Sequence, residues 1–414
     1  MKLTSTPSKD AIRTALQQCR SRTLKLFEKI DDATFYQQIH PDFSPIGWHL
    51  GHIGYTEALW LLEYSAQHPP LFPQYRQLYA ADGLPKKERV KLPTPAQTRE
   101  LLEIIREKVL KYLEIAPLQE QERLWHFIIQ HESQHGETIA ILLHLQQWNQ
   151  KNNPQIPQFS NPGSLPKNEM IEIPAGAFEM GSDAIEALDN ERSRHYRHLQ
   201  TYWIDPYPVT CGQYREFIAA GGYDNPKWWS LEGWEWLQAN AVKQPLYWID
   251  NPALDNHPVY GVSWYEADAY SRFVGKRLPT EAEWEKAASW DAANATKRLY
   301  PWGEEKPTFQ CNHDILIGGT TPVNAYPEGV SFYGCYDMLG NVWEWTCSWF
   351  EGYEGFQFYP YPGYSQIYFD GKHRVLKGGS WATYPWVLRC SFRNWYHPGV
   401  RQILAGFRCV KSEY

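Results

Sequence analysis

Apolar side chains recur at helical spacing through the first 150 residues of the chain. One face of a first predicted helix contains Ile12, Leu16, Cys19, Leu26 and Ile30. A second helix is predicted over residues 46–64, and a third begins at Thr94, with a proline in its first turn and a capping-box glutamine. A fourth is predicted over residues 118–148. The connection over residues 65–93 is long enough to have a function of its own. This pattern predicts an antiparallel four-helix bundle over residues 1–150.

The pattern changes after a polar stretch rich in proline and asparagine, residues 151–168, which we predict to be a linker. Residues 169–414 alternate short apolar or aromatic runs with glycine, proline and asparagine. Helices are predicted there only at about 211–220, 264–274 and 280–289. Sixteen of the 20 tryptophans lie beyond residue 200. The pattern predicts a loop-rich α+β domain after the helical one.

Composition narrows the classes of function. The chain has 414 residues, with 40 lysines and arginines against 47 acidic residues, a balance that excludes a generally basic nucleic-acid-binding protein. It has no run of about 18 apolar residues, which a membrane helix requires. We expect no secretory signal, because residues 1–19 lack the apolar core of one. We therefore expect a cytoplasmic protein that binds small molecules and neither nucleic acid nor membrane. The seven cysteines include no CxxC pair, and we expect them to be reduced.

A pair of histidines four residues apart provides the strongest chemical signal. His131 and His135 lie one above the other on the fourth predicted helix, so both imidazoles can reach one metal ion. Leu124, Ile128 and Leu142 share their face, which predicts that the pair points into the bundle core. Buried imidazoles need a partner, because an unpaired polar group in an apolar core is costly. Two core histidines satisfied by hydrogen bonds are a less favoured alternative.

The same string also reads HExxH, the zincin signature in which Glu132 is the general base. We disfavour a zinc hydrolase because the third ligand of a zincin is missing. Leu142 lies near the place of the third histidine in the longer signature, and Glu137 is the only acid between the signature and residue 169. A better third ligand lies upstream.

His49 and His52 are three residues apart on the second predicted helix, which in a four-helix bundle can face the fourth. We prefer His52 as the third ligand and keep His49 as the alternative; a core histidine without a ligand role is a further one. Three neutral imidazoles leave up to three positions open on an octahedral iron. That arrangement is similar to the open facial sites of non-haem Fe(II) oxygenases, with histidine in place of the carboxylate.

Motifs in both regions resemble one enzyme family. SPIGWHLGHIGYTEALWLLE (44–63) and QHESQHGET (130–138) resemble the DinB-like bundle of the ergothioneine-biosynthetic sulfoxide synthases, the hercynine oxygenases. The later region resembles a formylglycine-generating-enzyme (sulfatase-modifying) domain with a C-type-lectin-like fold. Its motifs are IPAGAFEMGSD (173–183), PVTCGQYREF (208–217), RLPTEAEWEKAA (277–288), YPWG (300–303), LGNVWEWT (339–346), VLKGGSW (375–381) and GFRCV (406–410). The predicted fold is thus a DinB-like four-helix bundle followed by a C-type-lectin-like domain.

The resemblance implies roles for individual residues. The iron ligands of the family fall on His52, His131 and His135, and the residue that hydrogen-bonds the substrate imidazole falls on Gln134. The catalytic tyrosine falls on Tyr361, with Tyr364 as its neighbour. The residues implied to line the substrate pocket are Asn394, Trp395, Tyr396 and Arg401. Without the resemblance, packing in an aromatic-rich loop would be the simplest role for the tyrosines.

The thiol substrate is left open by two departures from the family pattern. Relatives that use γ-glutamylcysteine have an aspartate where this chain has Tyr396, which helps to hold the amine of the thiol. They also have two arginines three apart, which hold its carboxylates, where this chain has Lys86 and Arg89. The resemblance therefore implies that Lys86 and Arg89 bind the substrate. Lysine lacks the bidentate fork of arginine, so the change at residue 86 is not neutral. A solvated basic loop is the alternative role for this stretch. We therefore expect either cysteine or γ-glutamylcysteine as the thiol.

The resemblance implies a non-haem Fe(II), O2-dependent sulfoxide synthase that joins a thiol to the imidazole C2 of hercynine. A sister synthase that acts on histidine (ovothiol type) or uses a selenium donor (selenoneine type) is the closest alternative, and a non-catalytic binding protein is more remote. Oxidation of a sulfatase cysteine is disfavoured as a function. The enzymes that catalyse it need a pair of cysteines, and only one cysteine, Cys390, is present in the corresponding segment here. The C-terminal domain is also a candidate for a structural Ca2+ ion.

Overall fold

The computed structural model describes residues 8–28, 30–150 and 169–412. The chain divides into two compact units, Met1–Pro154 and Gln155–Tyr414. The predicted linker, residues 151–168, lies outside the described residues. No helix in the described part of the chain is long and apolar enough to cross a membrane.

The first unit is helical. Its helices are α1 (Lys9–Phe27), α2 (Asp32–Tyr36), α3 (Ile46–Glu57), α4 (Arg76–Tyr79), α5 (Pro95–Ile115) and α6 (Leu118–Asn149). The second predicted helix is not uniform, because α3 continues as a π-helix, Ala58–Ser65. The start of α5 is confirmed, with the side chain of Thr94 and that of Gln97 forming a reciprocal capping box. The apolar face of α6 is also confirmed, with Leu124, Ile128 and Leu142 buried.

A charge-balanced group of ion pairs is buried between the helices. Arg20 on α1 and Arg106 on α5 each contact both Glu57 on α3 and Glu132 on α6, at 2.7–2.9 Å. Burial by itself would raise the pKa of the Glu57 carboxyl, but the two guanidinium groups outweigh it and the pKa is lowered. Each of these long helices therefore contributes one charge to a neutral group.

The second unit combines short strands with helices. Its strands are β1 (Ile171–Ile173), β2 (Gly176–Met180), β3 (His195–Leu199), β4 (Tyr202–Ile204), β5 (Trp290–Asp291), β6 (Thr296–Lys297), β7 (Trp343–Trp349), β8 (Arg374–Lys377), β9 (Asn394–Tyr396), β10 (Ala405–Gly406) and β11 (Val410–Ser412). One sheet has the order β10-β7-β8-β9 and another the order β1-β4-β11; β2 pairs with β3 and β5 with β6. The helices are α7 (Cys211–Ala219), α8 (Leu231–Asn240), α9 (Trp264–Phe273) and α10 (Glu281–Ser289).

The prediction of helices in this unit was incomplete, because it omitted α8. Ser230 caps α8, because its Oγ accepts a hydrogen bond from the Gly233 amide. The helix nevertheless has tryptophans on more than one side and little apolar periodicity. The core of the unit contains Trp284, Trp343 and Trp345, all buried. Their burial accounts for part of the tryptophan content, because each large aromatic side chain buries a large apolar area between short strands.

Removing one member of the buried ion-pair group should destabilise the protein strongly. We expect Arg106→Met to lower the free energy of unfolding by about 3–5 kcal/mol, because Glu57 and Glu132 then share one guanidinium in a buried site. Lys111→Met, on the same helix, removes only an exposed pair with Glu107 and should cost less than about 0.5 kcal/mol. Denaturant unfolding of the full chain, followed by helical circular dichroism, makes the comparison. Equal losses in the two variants would contradict this account.

Candidate metal centre

Helices α3 and α6 bring three imidazoles together in the first unit. His52, His131 and His135 form the group of potential metal ligands among the described residues, with ligand atoms within 4.8 Å of one another. Nε2 of His131 lies 3.2 Å from Nε2 of His52. The ring centroids are 4.5 Å apart for His131 and His135 and 4.8 Å apart for His52 and His135. The predicted histidine pair on α6 and the preferred upstream histidine therefore meet.

The orientation of the His52 ring is set by two neighbours. Its Nδ1 lies 2.6 Å from the backbone carbonyl of Tyr79, so the neutral ring donates there and directs the Nε2 lone pair toward His131. The Trp48 indole stacks on the ring at 4.5 Å between centroids and 12° between planes. Trp48 is held in turn by its Nε1, which donates to the Leu78 carbonyl at 2.7 Å.

The long connection between α3 and α5 supplies that carbonyl, so it contributes to the site. Tyr79, at the end of α4, is fully buried, and its ring lies in a notch that Gly51 leaves on α3. A Cβ atom at Gly51 would lie 2.0 Å from Cζ of Tyr79. The absence of a side chain at Gly51 therefore allows the close approach of α4 that the His52–Tyr79 hydrogen bond requires.

His49 lies beside the group. Its Nδ1 is 2.9 Å from Nδ1 of His135, and the two rings are 5.1 Å apart. The grouping of ligand atoms favours His52 over His49 as the third ligand, and the assignment stays a prediction.

Burial keeps these imidazoles uncharged. It lowers the pKa of His49 to about 3 and that of His52 to about 4, where the Tyr79 carbonyl opposes the shift and Arg89 adds to it. Burial and the neighbouring histidines lower the pKa of His131 and of His135 well below the ordinary value. At neutral pH all these rings are neutral, which is the form that binds a metal.

The donors fit a metal ion. Two nitrogens bound side by side to one ion at about 2.1 Å lie about 3 Å apart, and Nε2 of His52 and Nε2 of His131 are 3.2 Å apart. Imidazole ligands suit iron, zinc, copper and nickel alike. Glu132 does not serve this centre, because its carboxylate contacts Arg20 and Arg106. That contact argues against the zincin interpretation, in which Glu132 is the base.

The other residues predicted for the first unit have contacts within the chain. Gln134 is half-buried on α6 next to His135, and its Nε2 donates to the Gln130 carbonyl at 3.1 Å. Lys86 is exposed and donates to the Asp42 carbonyl. Arg89 is buried, lies 4.1 Å from the Trp48 ring centroid and donates to Ser44 Oγ and to the Leu84 and Ala81 carbonyls.

The remaining predicted residues lie in the second unit. Tyr361 is half-buried and Tyr364 is buried. Asn394, Trp395 and Tyr396 form strand β9, and the Trp395 ring lies 6.0 Å from that of Tyr364. The Arg401 guanidinium makes paired contacts with the Glu266 carboxylate at 2.9 and 3.2 Å. The structure thus brings Tyr364 and Trp395 together; the roles of these residues, and calcium in this unit, stay predictions.

Trp48 and Tyr79 were missed by the sequence reasoning. Trp48 precedes His52 by one helical turn within the quoted WHLGH motif, so helical spacing could have identified it. Tyr79 acts through a backbone carbonyl, which every residue possesses, and no sequence signal identifies it.

Family models match both units: the DinB superfamily over residues 15–139 and the sulfatase-modifying factor enzyme 1-like domain over residues 157–413. The hercynine oxygenase of Mycolicibacterium smegmatis is 38% identical over 97% of this chain and 98% of its own. That of Mycobacterium tuberculosis is 39% identical over 95% and 96%. Among solved structures, PvdO from Pseudomonas aeruginosa matches 62% of this chain and 100% of its own, with 23% identity and a TM-score of 0.43. The family models and the curated relatives confirm the predicted fold class and the resemblance.

Loss of any one of the three imidazoles should abolish tight metal binding. We expect His52→Ala, His131→Ala and His135→Ala each to lose stoichiometric Fe(II), because two imidazoles are a poor site for the ion. His49→Ala is the matched control and should keep the metal. Anaerobic Fe(II) titration followed by metal analysis measures the difference. Fe(II) lost in His49→Ala and retained in His52→Ala would assign the third ligand to His49.

Filling the notch on α3 should weaken metal binding without touching a ligand. Gly51→Ala places a methyl group against the Tyr79 ring, displaces the carbonyl that holds His52, and should lower Fe(II) affinity by about 10–100-fold. Gly54→Ala is the control on the same helix, because its methyl group would meet Leu101 and Leu102 instead. The same titration applies. An unchanged affinity in Gly51→Ala, or equal losses in both variants, would contradict the role of Tyr79.

Proposed function

The chain belongs to the hercynine oxygenase family, and from that premise we propose that it is a non-haem Fe(II), O2-dependent sulfoxide synthase. Its reaction joins the sulfur of a thiol to the imidazole C2 of hercynine. The observation that carries the proposal is the meeting of three neutral imidazoles, those of His52, His131 and His135, on which the ligands of the family fall. His52 and His131 are buried and His135 is half-buried.

The reaction balances without an external reductant. The imidazole C2–H and thiol S–H bonds are lost, and a C–S and an S–O bond form. These steps release four electrons, which reduce O2 fully; one oxygen atom enters the sulfoxide and the other leaves as water. The sequence has neither a GxGxxG nor a P-loop fingerprint, in keeping with a reaction that needs no nucleotide cofactor.

His52, His131 and His135 would hold the iron as neutral ligands. When bound, the iron supplies O2 activation and a positive charge that favours the thiolate over the thiol. The Tyr79 carbonyl and the Trp48 ring keep His52 oriented for this role.

Other residues would handle the substrates. Gln134, one position before the ligand His135, has an amide suited to hydrogen-bond the hercynine imidazole. Tyr361 has a phenol that can donate a proton to the reacting oxygen as a general acid. A trimethylammonium group donates no hydrogen bond and prefers aromatic faces, and Trp395 and Tyr396 offer such faces.

Cysteine is the thiol that the residues favour. Lys86 lacks the bidentate fork of the arginine that relatives have at this place, and Tyr396 offers a neutral hydroxyl where they have a carboxylate. Both features weaken recognition of a γ-glutamyl group more than recognition of the cysteine core. A charge-assisted hydrogen bond lost in this way costs about 1.5–3 kcal/mol.

The proposal is tested by loading the protein anaerobically with Fe(II) and then admitting air with hercynine and a thiol. We expect the sulfoxide adduct by mass spectrometry, with kcat/KM for cysteine at least equal to that for γ-glutamylcysteine. Zinc-loaded protein is the control and should be inactive. Turnover without oxygen or with zinc would refute the oxidative function. Turnover only with histidine or with a selenium donor would assign the chain to a sister reaction, and a tenfold preference for γ-glutamylcysteine (about 1.4 kcal/mol) would refute the thiol assignment.

Removing the Tyr361 hydroxyl should change the product. Tyr361→Phe keeps the ring, so folding should be unaffected, but sulfoxide formation should slow by about 100-fold because a general acid is lost. The thiol should be oxidised to a sulfinate instead. Chromatography with mass detection gives the sulfoxide-to-sulfinate ratio. If the rate and the product ratio are both unchanged, Tyr361 is a packing residue and not the proton donor.

A further inference from the structure

A buried turn in the second unit contacts both segments that carry the predicted substrate-site residues. This turn is the 3₁₀ helix Asp189–Glu191, which we call the clamp turn. All three of its residues are fully buried. Buried polar side chains need hydrogen-bond partners. The side chains of the clamp turn bond to two stretches of chain that follow it by more than 165 residues, residues 359–365 and 389–393.

The first stretch carries Tyr361 and Tyr364. The Ser365 hydroxyl donates to Asp189 Oδ1 at 2.5 Å, and the Tyr359 amide donates to Asp189 Oδ2 at 3.2 Å. Asn190 Nδ2 adds a hydrogen bond to Ser365 Oγ at 3.0 Å. One carboxylate therefore fixes the chain on both sides of the tyrosines.

The second stretch leads into β9. The Ser391 hydroxyl donates to the Glu191 carboxylate at 2.7 Å, and the Arg389 guanidinium pairs with the same carboxylate. The Arg393 guanidinium donates to the Asn190 carbonyl at 2.8 Å. Arg393 directly precedes the strand that contains Trp395. The clamp turn thus fixes the tyrosine segment and β9 to the same short piece of chain.

We propose that Asp189 and Asn190 are positioning residues for Tyr361, acting through Ser365 and the backbone at Tyr359. The inference rests on the proposed function, in which Tyr361 is the proton donor. Each oxygen of the buried Asp189 side chain accepts one of these hydrogen bonds, so replacing one oxygen with an NH2 group, which cannot accept, should loosen the segment. A catalytic group displaced by about 1 Å can lower a rate by about 100-fold, although the group itself is intact.

Asp189→Asn keeps the shape of the side chain and replaces one acceptor oxygen with an NH2 group, which only donates. In the Fe(II)-loaded full chain we expect the sulfoxide rate to fall by about tenfold and the sulfoxide-to-sulfinate ratio to fall with it, with KM for hercynine unchanged. Hydrogen exchange of the peptide covering residues 359–368 should accelerate. Ser365→Ala removes one of the same hydrogen bonds and leaves Asp189 in place, and it should give the same pattern. It replaces Asp189→Asn in the test if that variant folds poorly. Gln366→Ala, at an exposed neighbouring position, is the matched control and should leave rate, ratio and exchange unchanged.

The double variant Asp189→Asn/Tyr361→Phe separates positioning from general damage. If Asp189 acts through the Tyr361 hydroxyl, the double variant has the same product ratio as Tyr361→Phe alone. A further fall in the ratio, a wild-type ratio in Asp189→Asn and Ser365→Ala, or unchanged exchange in both would overturn the proposal. If the wild type forms no sulfoxide, the proposed function fails, and the role of Asp189 toward Tyr361 falls with it. Accelerated exchange would then show only that the clamp holds the segment.

Discussion

The buried ion pairs of the first unit determine how its helices are rotated. Arg20, Glu57, Arg106 and Glu132 come from different helices, and each guanidinium contacts both carboxylates. A single one of these charges would be costly to bury, so α1, α3, α5 and α6 must all present the charged position inward. Glu57 follows His52 on α3, and Glu132 follows His131 directly on α6. The helix rotation that satisfies the charges therefore also orients the imidazoles.

The parts of the structure that sequence predicts are those encoded by local spacing. The apolar period of α6, the capping box at Thr94 and the i, i+4 relation of His131 and His135 each involve residues within a few turns, and each was found. The ion-pair group was not found, because charged residues are mostly exposed and its members are separated by up to 112 positions. The same is true of the clamp turn, whose partners lie on distant stretches of chain. Helix α8 was not predicted, because its tryptophans lie on more than one side and hide any apolar periodicity.

Motif membership does not reveal which partner a charged residue has. Arg401 was predicted to line a substrate pocket, and its guanidinium pairs with Glu266. Arg89 was predicted to contact the thiol substrate, and it donates to backbone carbonyls and stacks on Trp48. Such contacts orient a side chain as effectively as a ligand does. For these residues a role in the fold and a role in binding are compatible, and the type of residue alone does not distinguish them.

The composition of α3 has a consequence for how the group of three imidazoles arises. Gly47, Gly51 and Gly54 occupy three of its 12 positions, and each costs about 1 kcal/mol of helical propensity relative to alanine. The rings of Phe35 and Tyr79 lie over the first two and the leucines of α5 over the third, so α3 is helical because its neighbours pack into it. His52 consequently has no preset position on the nascent chain. The group of three imidazoles is complete only after α6 has been synthesised and the bundle has closed, so any metal that binds there meets a folded protein.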